Sequence, residues 1–156
     1  MAPTSYLQSA LENNDVATRL QTAIKIEAIA EPFIKRKAFR HFDKGRFVFF
    51  GAGSGNPYFT TDTAAALRAT ELGAEILIKG TKVDGVYSDD PRNNPKATKY
   101  GRLSYDEVLE KKLEVMDLTA ICLCRDHKMP IKVFNMQRPG SLFDNISGLS
   151  GGTLIH

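Results

Sequence analysis

The segment that most restricts what this chain can fold into is Phe47-Val-Phe-Phe50 followed by Gly51-Ala-Gly-Ser-Gly-Asn-Pro-Tyr-Phe-Thr-Thr-Asp62 and then Thr63-Ala-Ala-Ala-Leu67. A β-prone apolar run breaks into glycines, passes through hydroxyl side chains and enters a helix-forming stretch. This order belongs to α/β proteins that hold phosphate. The glycines let backbone N–H groups approach an anion, the threonines offer further bonds, and the helix N-terminus adds a favourable dipole. A tight strand-to-helix turn would also use glycine, but it does not need two threonines and an aspartate as well. The spacing fits neither G-x-x-x-x-G-K-[ST] nor a full G-x-G-x-x-G, so the P-loop and dinucleotide-fingerprint readings both fail.

The rest of the chain alternates helix and strand. Ser5 to Asn14 reads as a helix, Val16 to Ile24 as a strand, and Pro32 to Phe42 as a helix with Ile34, Ala38 and Phe42 on one face. Arg46 to Phe50 is a strand, Thr63 to Leu72 a helix capped at Gly73, and Glu75 to Lys79 the next strand. Residues 85–102 form a polar loop, and loops of this length in a small domain usually serve function. Ser104-Tyr-Asp-Glu107 has capping-box spacing, Asp117 to His127 reads as a helix, and Pro130 leads into the strand Ile131 to Phe134. Pro139-Gly140 starts a last helical piece, and Gly151 to Ile155 ends on a short strand. The alternation predicts an α/β fold with a parallel sheet and helices on both faces. At 156 residues, one domain over residues 1–156 is expected.

Composition narrows the class of partner. A net charge of +3 is too small to call for nucleic acid, and no apolar run is long enough for a membrane span. The stretch from Met1 to Tyr6 lacks the basic-then-apolar pattern of a signal peptide. Cys122 and Cys124 are too close to clip a loop and read as reduced, buried small hydrophobes. The three histidines have no metal-site spacing, and no metal ligands are assigned. The basic cluster Lys35, Arg36, Lys37, Arg40, Lys44 and Arg46 reads as the solvated face of a helix, with an anion patch as the alternative.

Two further constellations bear on chemistry. Lys79-Gly-Thr-Lys-Val-Asp-Gly85 places Lys79 and Lys82 at the C-terminal end of a strand, where open α/β sheets bind ligands. A lysine there can neutralise charge passing between phosphoryl groups; two solvated lysines beside an Asp-Gly turn are the plain alternative. Tyr87-Ser-Asp-Asp-Pro91 offers an aromatic face beside carboxylates, suited to a base and a ribose, though Asp-Asp-Pro is also ordinary turn chemistry. Asp117 reads equally as a helix N-cap or a functional carboxylate.

Taken together, Gly53-Ser-Gly-Asn-Pro-Tyr-Phe-Thr-Thr-Asp62, Lys79-Gly-Thr-Lys-Val-Asp-Gly-Val-Tyr-Ser-Asp-Asp-Pro91, Glu114-Val-Met-Asp-Leu-Thr-Ala120, Arg125-Asp-His-Lys-Met-Pro-Ile-Lys-Val-Phe-Asn135 and Gly152-Thr-Leu-Ile155 resemble the bacterial-type UMP kinases of the amino acid kinase superfamily. The resemblance implies an amino-acid-kinase-type α/β fold and transfer of the γ-phosphoryl group of ATP to UMP with Mg2+, in pyrimidine nucleotide synthesis. It implies that Ser54, Gly55, Asn56, Pro57, Tyr58, Phe59, Thr60 and Thr61 contact UMP. Thr81, Tyr87 and Asp90 would line the ATP base and ribose pocket. Lys79, Asp62 and Asp117 would act at the transferring phosphates. It also implies a homo-oligomer, a hexamer in the family, with UTP or GTP as effectors. The expected location is the cytoplasm, or an organelle stroma in a plastid-bearing source.

The resemblance runs over roughly the C-terminal two-thirds of the family pattern. The family's opening Lys-Leu-Ser-Gly and later Gly-Gly-Gly-Asn loops do not occur in these residues. Phosphoryl transfer needs several groups on the phosphates at once, so this chain by itself is expected to be inactive. The alternatives are a non-catalytic nucleotide-binding or regulatory protein, a fragment needing a second chain for the missing loops, and another amino acid kinase acting on a carboxylate or carbamate.

Overall fold

In the computed structural model, which describes residues 2–26, 28–148 and 151–156, the chain is divided into two units, Met1–Leu72 and Gly73–His156. In the first unit, helix α1 (Ala2–Glu12) runs into a turn at Asn13–Asp15 and strand β1 (Thr18–Thr22). The Thr18 hydroxyl donates to Glu12 Oε1 at 2.6 Å and ties the helix end to the strand start. β1 lies between β2 (Glu31–Pro32) and β3 (Phe47–Gly51), parallel to both. Its central place explains why the sequence alternates only loosely there: Thr18, Leu20, Gln21 and Thr22 are all buried. Helix α2 (Lys35–Phe42) packs on β3 and on α3 (Thr61–Leu72), which ends at Gly73 as the sequence predicts.

Pro32 does not open a helix. It sits on an edge strand, where its missing N–H costs no ladder bond, and the Phe33 N–H donates to Thr22 O at 2.8 Å. Because α2 starts three residues later, its inward face carries Ala38 and His41, while Ile34 and Phe42 are exposed. Lys35, Arg36, Lys37, Arg40 and Lys44 are exposed and Arg46 is half-buried.

The second unit holds the sheet β4-β6-β7-β5, formed by β4 (Leu77–Thr81), β5 (Arg102–Leu103), β6 (Ile131–Asn135) and β7 (Thr153–Ile155). β4 pairs parallel with β6 and β5 parallel with β7, but β7 runs antiparallel to β6. The expected all-parallel sheet therefore has one reversed pair. Among the described residues, the helix between β6 and β7 is α6 (Ser141–Ile146), whose six residues span about 9 Å, too short to run back along a strand of about 17 Å. Helix α4 (Tyr105–Glu110) has the predicted capping box: Ser104 Oγ accepts from the Glu107 N–H at 3.1 Å, and Glu107 Oε2 accepts from the Ser104 N–H at 2.8 Å. Helix α5 (Leu118–Asp126) follows. Leu103, Val108, Ile121, Ile131, Val133 and Ile155 form the core of this unit. Cys124 is buried among them, which pushes its thiol up to about 11, whereas Cys122 is only half-buried.

Candidate functional site

Each unit presents a hollow lined by described residues. In the first, the chain leaves β3 at Gly51 and reaches α3 through a loop with four left-handed residues: Ala52 (φ 63°), Gly53 (60°), Gly55 (78°) and Tyr58 (67°). Ala52 and Tyr58 carry side chains, and holding each there costs on the order of 1 kcal/mol; such outliers gather at functional loops. At Gly55 a side chain is excluded twice, by the positive φ and by Ala23, whose Cβ would lie 3.2 Å from an added Cβ. Ser54 Oγ accepts from the Asn56 N–H at 3.2 Å and turns the loop back on itself. Thr60 closes the loop by capping α3, its Oγ1 accepting from the N–H groups of Asp62 (3.1 Å) and Thr63 (3.2 Å).

The enclosed space is about 300 Å³. Every residue from Ser54 to Thr61 lines it except Tyr58, whose side chain stands fully in solvent. Asp62 lies in the first turn of α3, beside the hollow rather than on its wall. Glycine backbone, three hydroxyls (Ser54, Thr60 and Thr61) and a helix start facing one small space suit an anionic group.

The second hollow, about 560 Å³, opens beside the end of β4. Thr81, Tyr87 and Asp90, singled out from the sequence, all line it. Thr81 ends β4, and its hydroxyl donates to Val83 O at 2.6 Å, turning the chain off the strand. The long loop is folded on itself by a bridge between Tyr87 and Lys99 and by Ser88 N–H to Thr98 O at 3.0 Å. Asp90 is held by its own turn: Oδ1 accepts from the Arg92 N–H and Oδ2 from Asn93 Nδ2, each at 2.9 Å. Asp89 Oδ2 accepts from Asn94 at 2.9 Å, which lowers its carboxyl below the usual aspartate value.

Thr153, fully buried on β7, anchors both ends of the loop, accepting from the Val86 N–H at 2.8 Å and donating to Tyr100 O at 2.5 Å. The far wall comes from Lys111 to Val115, after α4. Sequence reasoning missed these residues as site residues. The capped helix α4 ends just before them, and Lys112 turns the chain with a positive φ of 51°.

Lys79 and Asp117 do not line either hollow. Lys79 lies on β4 opposite Val133, two residues before Thr81. Asp117 is the N-cap of α5 and accepts from the Ala120 N–H at 2.8 Å. Among the described residues, no three His, Cys, Asp or Glu side chains are arranged to hold a metal ion, and no helix is long and apolar enough to cross a membrane. Asp89 and Asp90 stand on the wall of the larger hollow, and one or two carboxylates are what a Mg2+ ion carried by nucleotide phosphates and water asks of a protein.

A family model described as the amino acid kinase family matches residues 5–135, across both units. A uridylate kinase from Alcanivorax borkumensis is 55% identical over 149 residues, covering 96% of this chain and 59% of that protein. A crystal structure of UMP kinase from Ureaplasma parvum is similar with a TM-score of 0.93 and 34% identity, over 96% of this chain and 64% of that one. The UMP kinase structure from Bacillus anthracis is similar with a TM-score of 0.93 and 37% identity, over 97% and 63%. The chain thus spans about three-fifths of the length of these relatives.

Proposed function

The chain belongs to the amino acid kinase family, and from that premise we propose that it carries the acceptor-binding and donor-base-binding parts of an ATP-dependent UMP kinase. The strongest single support is the 55% identity to a uridylate kinase along 149 residues, which runs through both hollows. The 300 Å³ hollow of the first unit takes UMP, with Ser54, Gly55, Asn56, Pro57, Phe59, Thr60 and Thr61 around the nucleotide and the N-terminus of α3 toward its phosphate. Tyr58, pointing into solvent, is the least supported member of that set. The 560 Å³ hollow of the second unit takes the base and ribose of ATP between Thr81, Tyr87 and Asp90.

In the reaction, a phosphate oxygen of UMP forms the new bond to the γ-phosphorus of ATP as the bond to the β-bridging oxygen breaks, giving UDP and ADP. Such transfer is mostly positioning and charge neutralisation. In this reading Lys79, two residues before the end of β4, neutralises charge on the phosphates, and Asp62, in the first turn of α3, orients the acceptor. Mg2+ bound with ATP supplies further charge compensation. Asp117 contributes by fixing the start of α5, a positioning role carried by its hydrogen bond to Ala120. One domain over residues 1–156 is part of the proposal, supported by a family model that matches residues in both units. A homo-oligomer, UTP or GTP effectors, a place in pyrimidine nucleotide synthesis and a cytoplasmic or stromal location complete the proposal.

The chain spans 59% of the relative's length, and the reading proposed is that these 156 residues bind both nucleotides and do not by themselves complete the transfer. Calorimetry on the whole chain tests this. UMP and ATP are each expected to bind weakly and independently, and Thr61→Val to weaken UMP while leaving ATP unchanged. Thr60→Ala is the poorer probe, because it also removes the cap of α3. Failure to bind UMP, or UDP formation at ordinary kinase rates by the 156 residues alone, would overturn the assignment of parts.

A further inference from the structure

Among the described residues on the wall of the 560 Å³ cavity, Tyr87 is the only aromatic one. Its hydroxyl is turned away from ligand duty: it donates to Asp84 Oδ1 at 2.5 Å. The other oxygen of that carboxylate takes the Lys99 ammonium at 3.2 Å. Lys99 in turn faces Tyr87 across the antiparallel bridge of the loop. Its stem crosses directly over Gly85, where an added Cβ would lie 3.1 Å from Lys99 Cδ and 2.6 Å from Thr153 Oγ1. Gly85 therefore leaves the passage through which Lys99 reaches Asp84. Neither Asp84 nor Lys99 lines the cavity, whereas Tyr87, which Asp84 holds, does.

We propose that Asp84 and Lys99 are positioning residues that clasp the Tyr87 hydroxyl, so that the ring stands in the cavity as a fixed stacking platform for the base of the donor nucleotide. This rests on the donor-pocket assignment above. With its hydroxyl engaged, Tyr87 has its ring face left to offer, and a flat base is the ligand group that a ring face recognises. An immobilised ring loses less freedom when the base binds, and that saving appears as affinity. An exposed ion pair such as Asp84–Lys99 adds little to stability, so the clasp should register in binding more than in melting. The same geometry sets the ionisation of both groups. The hydrogen bond from Tyr87 holds the Asp84 carboxyl below its usual range, and the same bond holds the Tyr87 phenol above its own.

The test is a double-mutant cycle on the whole chain, reading the Kd for MgATP in wild type, Tyr87→Phe, Asp84→Ala and the double variant. Each single change is expected to weaken binding roughly threefold to tenfold. The double variant should be no weaker than the worse single. Tyr87→Ala, which removes the platform itself, should lose more than Tyr87→Phe. Melting temperatures of the Tyr87→Phe and Asp84→Ala variants at neutral pH should fall by no more than about 2–4 °C, and a near-ultraviolet titration of Asp84→Ala should show one tyrosine returned to its ordinary range. Additive losses, or wild-type affinity in both single variants, would overturn the clasp while leaving the donor pocket standing. A wild-type chain that does not bind MgATP at all would overturn the donor pocket, and the clasp with it.

Discussion

Thr153→Val probes how the loop along the larger hollow is held. The side chain is fully buried, and its hydroxyl serves two backbone groups: it accepts from the Val86 N–H at 2.8 Å and donates to Tyr100 O at 2.5 Å. Valine has nearly the same shape, so the change removes the oxygen and little packing. It leaves the buried Val86 N–H without its acceptor and the Tyr100 carbonyl without this donor, at about 1–3 kcal/mol for each orphaned group. A carbonyl tolerates under-satisfaction better than an N–H, so the expected total is roughly 2–4 kcal/mol. For a chain of this length that corresponds to a fall of roughly 5–15 °C in melting temperature. Thr153→Ser is the control. It keeps the oxygen and loses one buried methyl, for about 1 kcal/mol. Denaturation of the three proteins by heat and urea measures the order. If the valine variant were as stable as the serine variant, the loop would not be anchored through this hydroxyl. MgATP affinity should follow stability, because Val86 and Tyr100 flank the residues that carry Tyr87.

Three shorter expectations follow from individual contacts. Gly55→Ala must hold a φ near +78° with its Cβ 3.2 Å from that of Ala23; a loss of about 1–2 kcal/mol and weaker UMP binding are expected, read by urea melts and calorimetry. The Asp84–Tyr87 bond should contribute to stability only between two limits. The folded carboxyl is depressed by its bonds to Tyr87 and Lys99, so its contribution is present above the ordinary aspartate value of about 4 and is lost as pH falls through the lower folded value. The phenol is raised, so its contribution is complete below the ordinary tyrosine value of about 10 and is lost as pH rises through the higher folded value; comparing the pH–stability curves of wild type and Asp84→Asn checks both arms. In native protein at neutral pH, a thiol reagent should modify Cys122 well before Cys124, whose buried thiol is pushed up to about 11, and both should react once the chain is unfolded.

Features set by local chemistry were legible from the residues alone. The capping box at Ser104 and Glu107, the stop at Gly73 and the strand–glycine–helix order around Gly51 each depend on a few neighbouring positions, and each appears within a residue or two of where the sequence puts it. What escaped depends on distant partners. Pro32 reads as a helix opener until β1 is seen beside it, pairing Thr22 with Pro32. The reversed β7 needs the position of β6, about twenty residues earlier along the chain. Lys111 to Val115 enter the donor-side wall only because α4 delivers them there, and no local pattern marks them as ligand-facing. The family resemblance put Thr81, Tyr87 and Asp90 together, and a single folded loop carries Tyr87 and Asp90 onto the wall that Thr81 begins.

Thr60 and Asp117 show why a residue's type alone leaves its role open. An oxygen that caps a helix and an oxygen that helps at a phosphate site occur in the same sequence setting, just before a helix start. In this chain both residues do the capping work, Thr60 for α3 and Asp117 for α5. For Thr60 the two roles are compatible. Its Oγ1 caps α3, and the residue also lines the smaller hollow, so one position serves both. For Asp117 they diverge, since the cap it forms lies off the walls of both hollows. Asp117→Asn keeps a capping oxygen and removes the charge, so it should preserve stability to within about 0.5 kcal/mol. Nucleotide affinity that also survives the change would place Asp117 in the scaffold, whereas a selective loss of MgATP binding would return it to the chemistry.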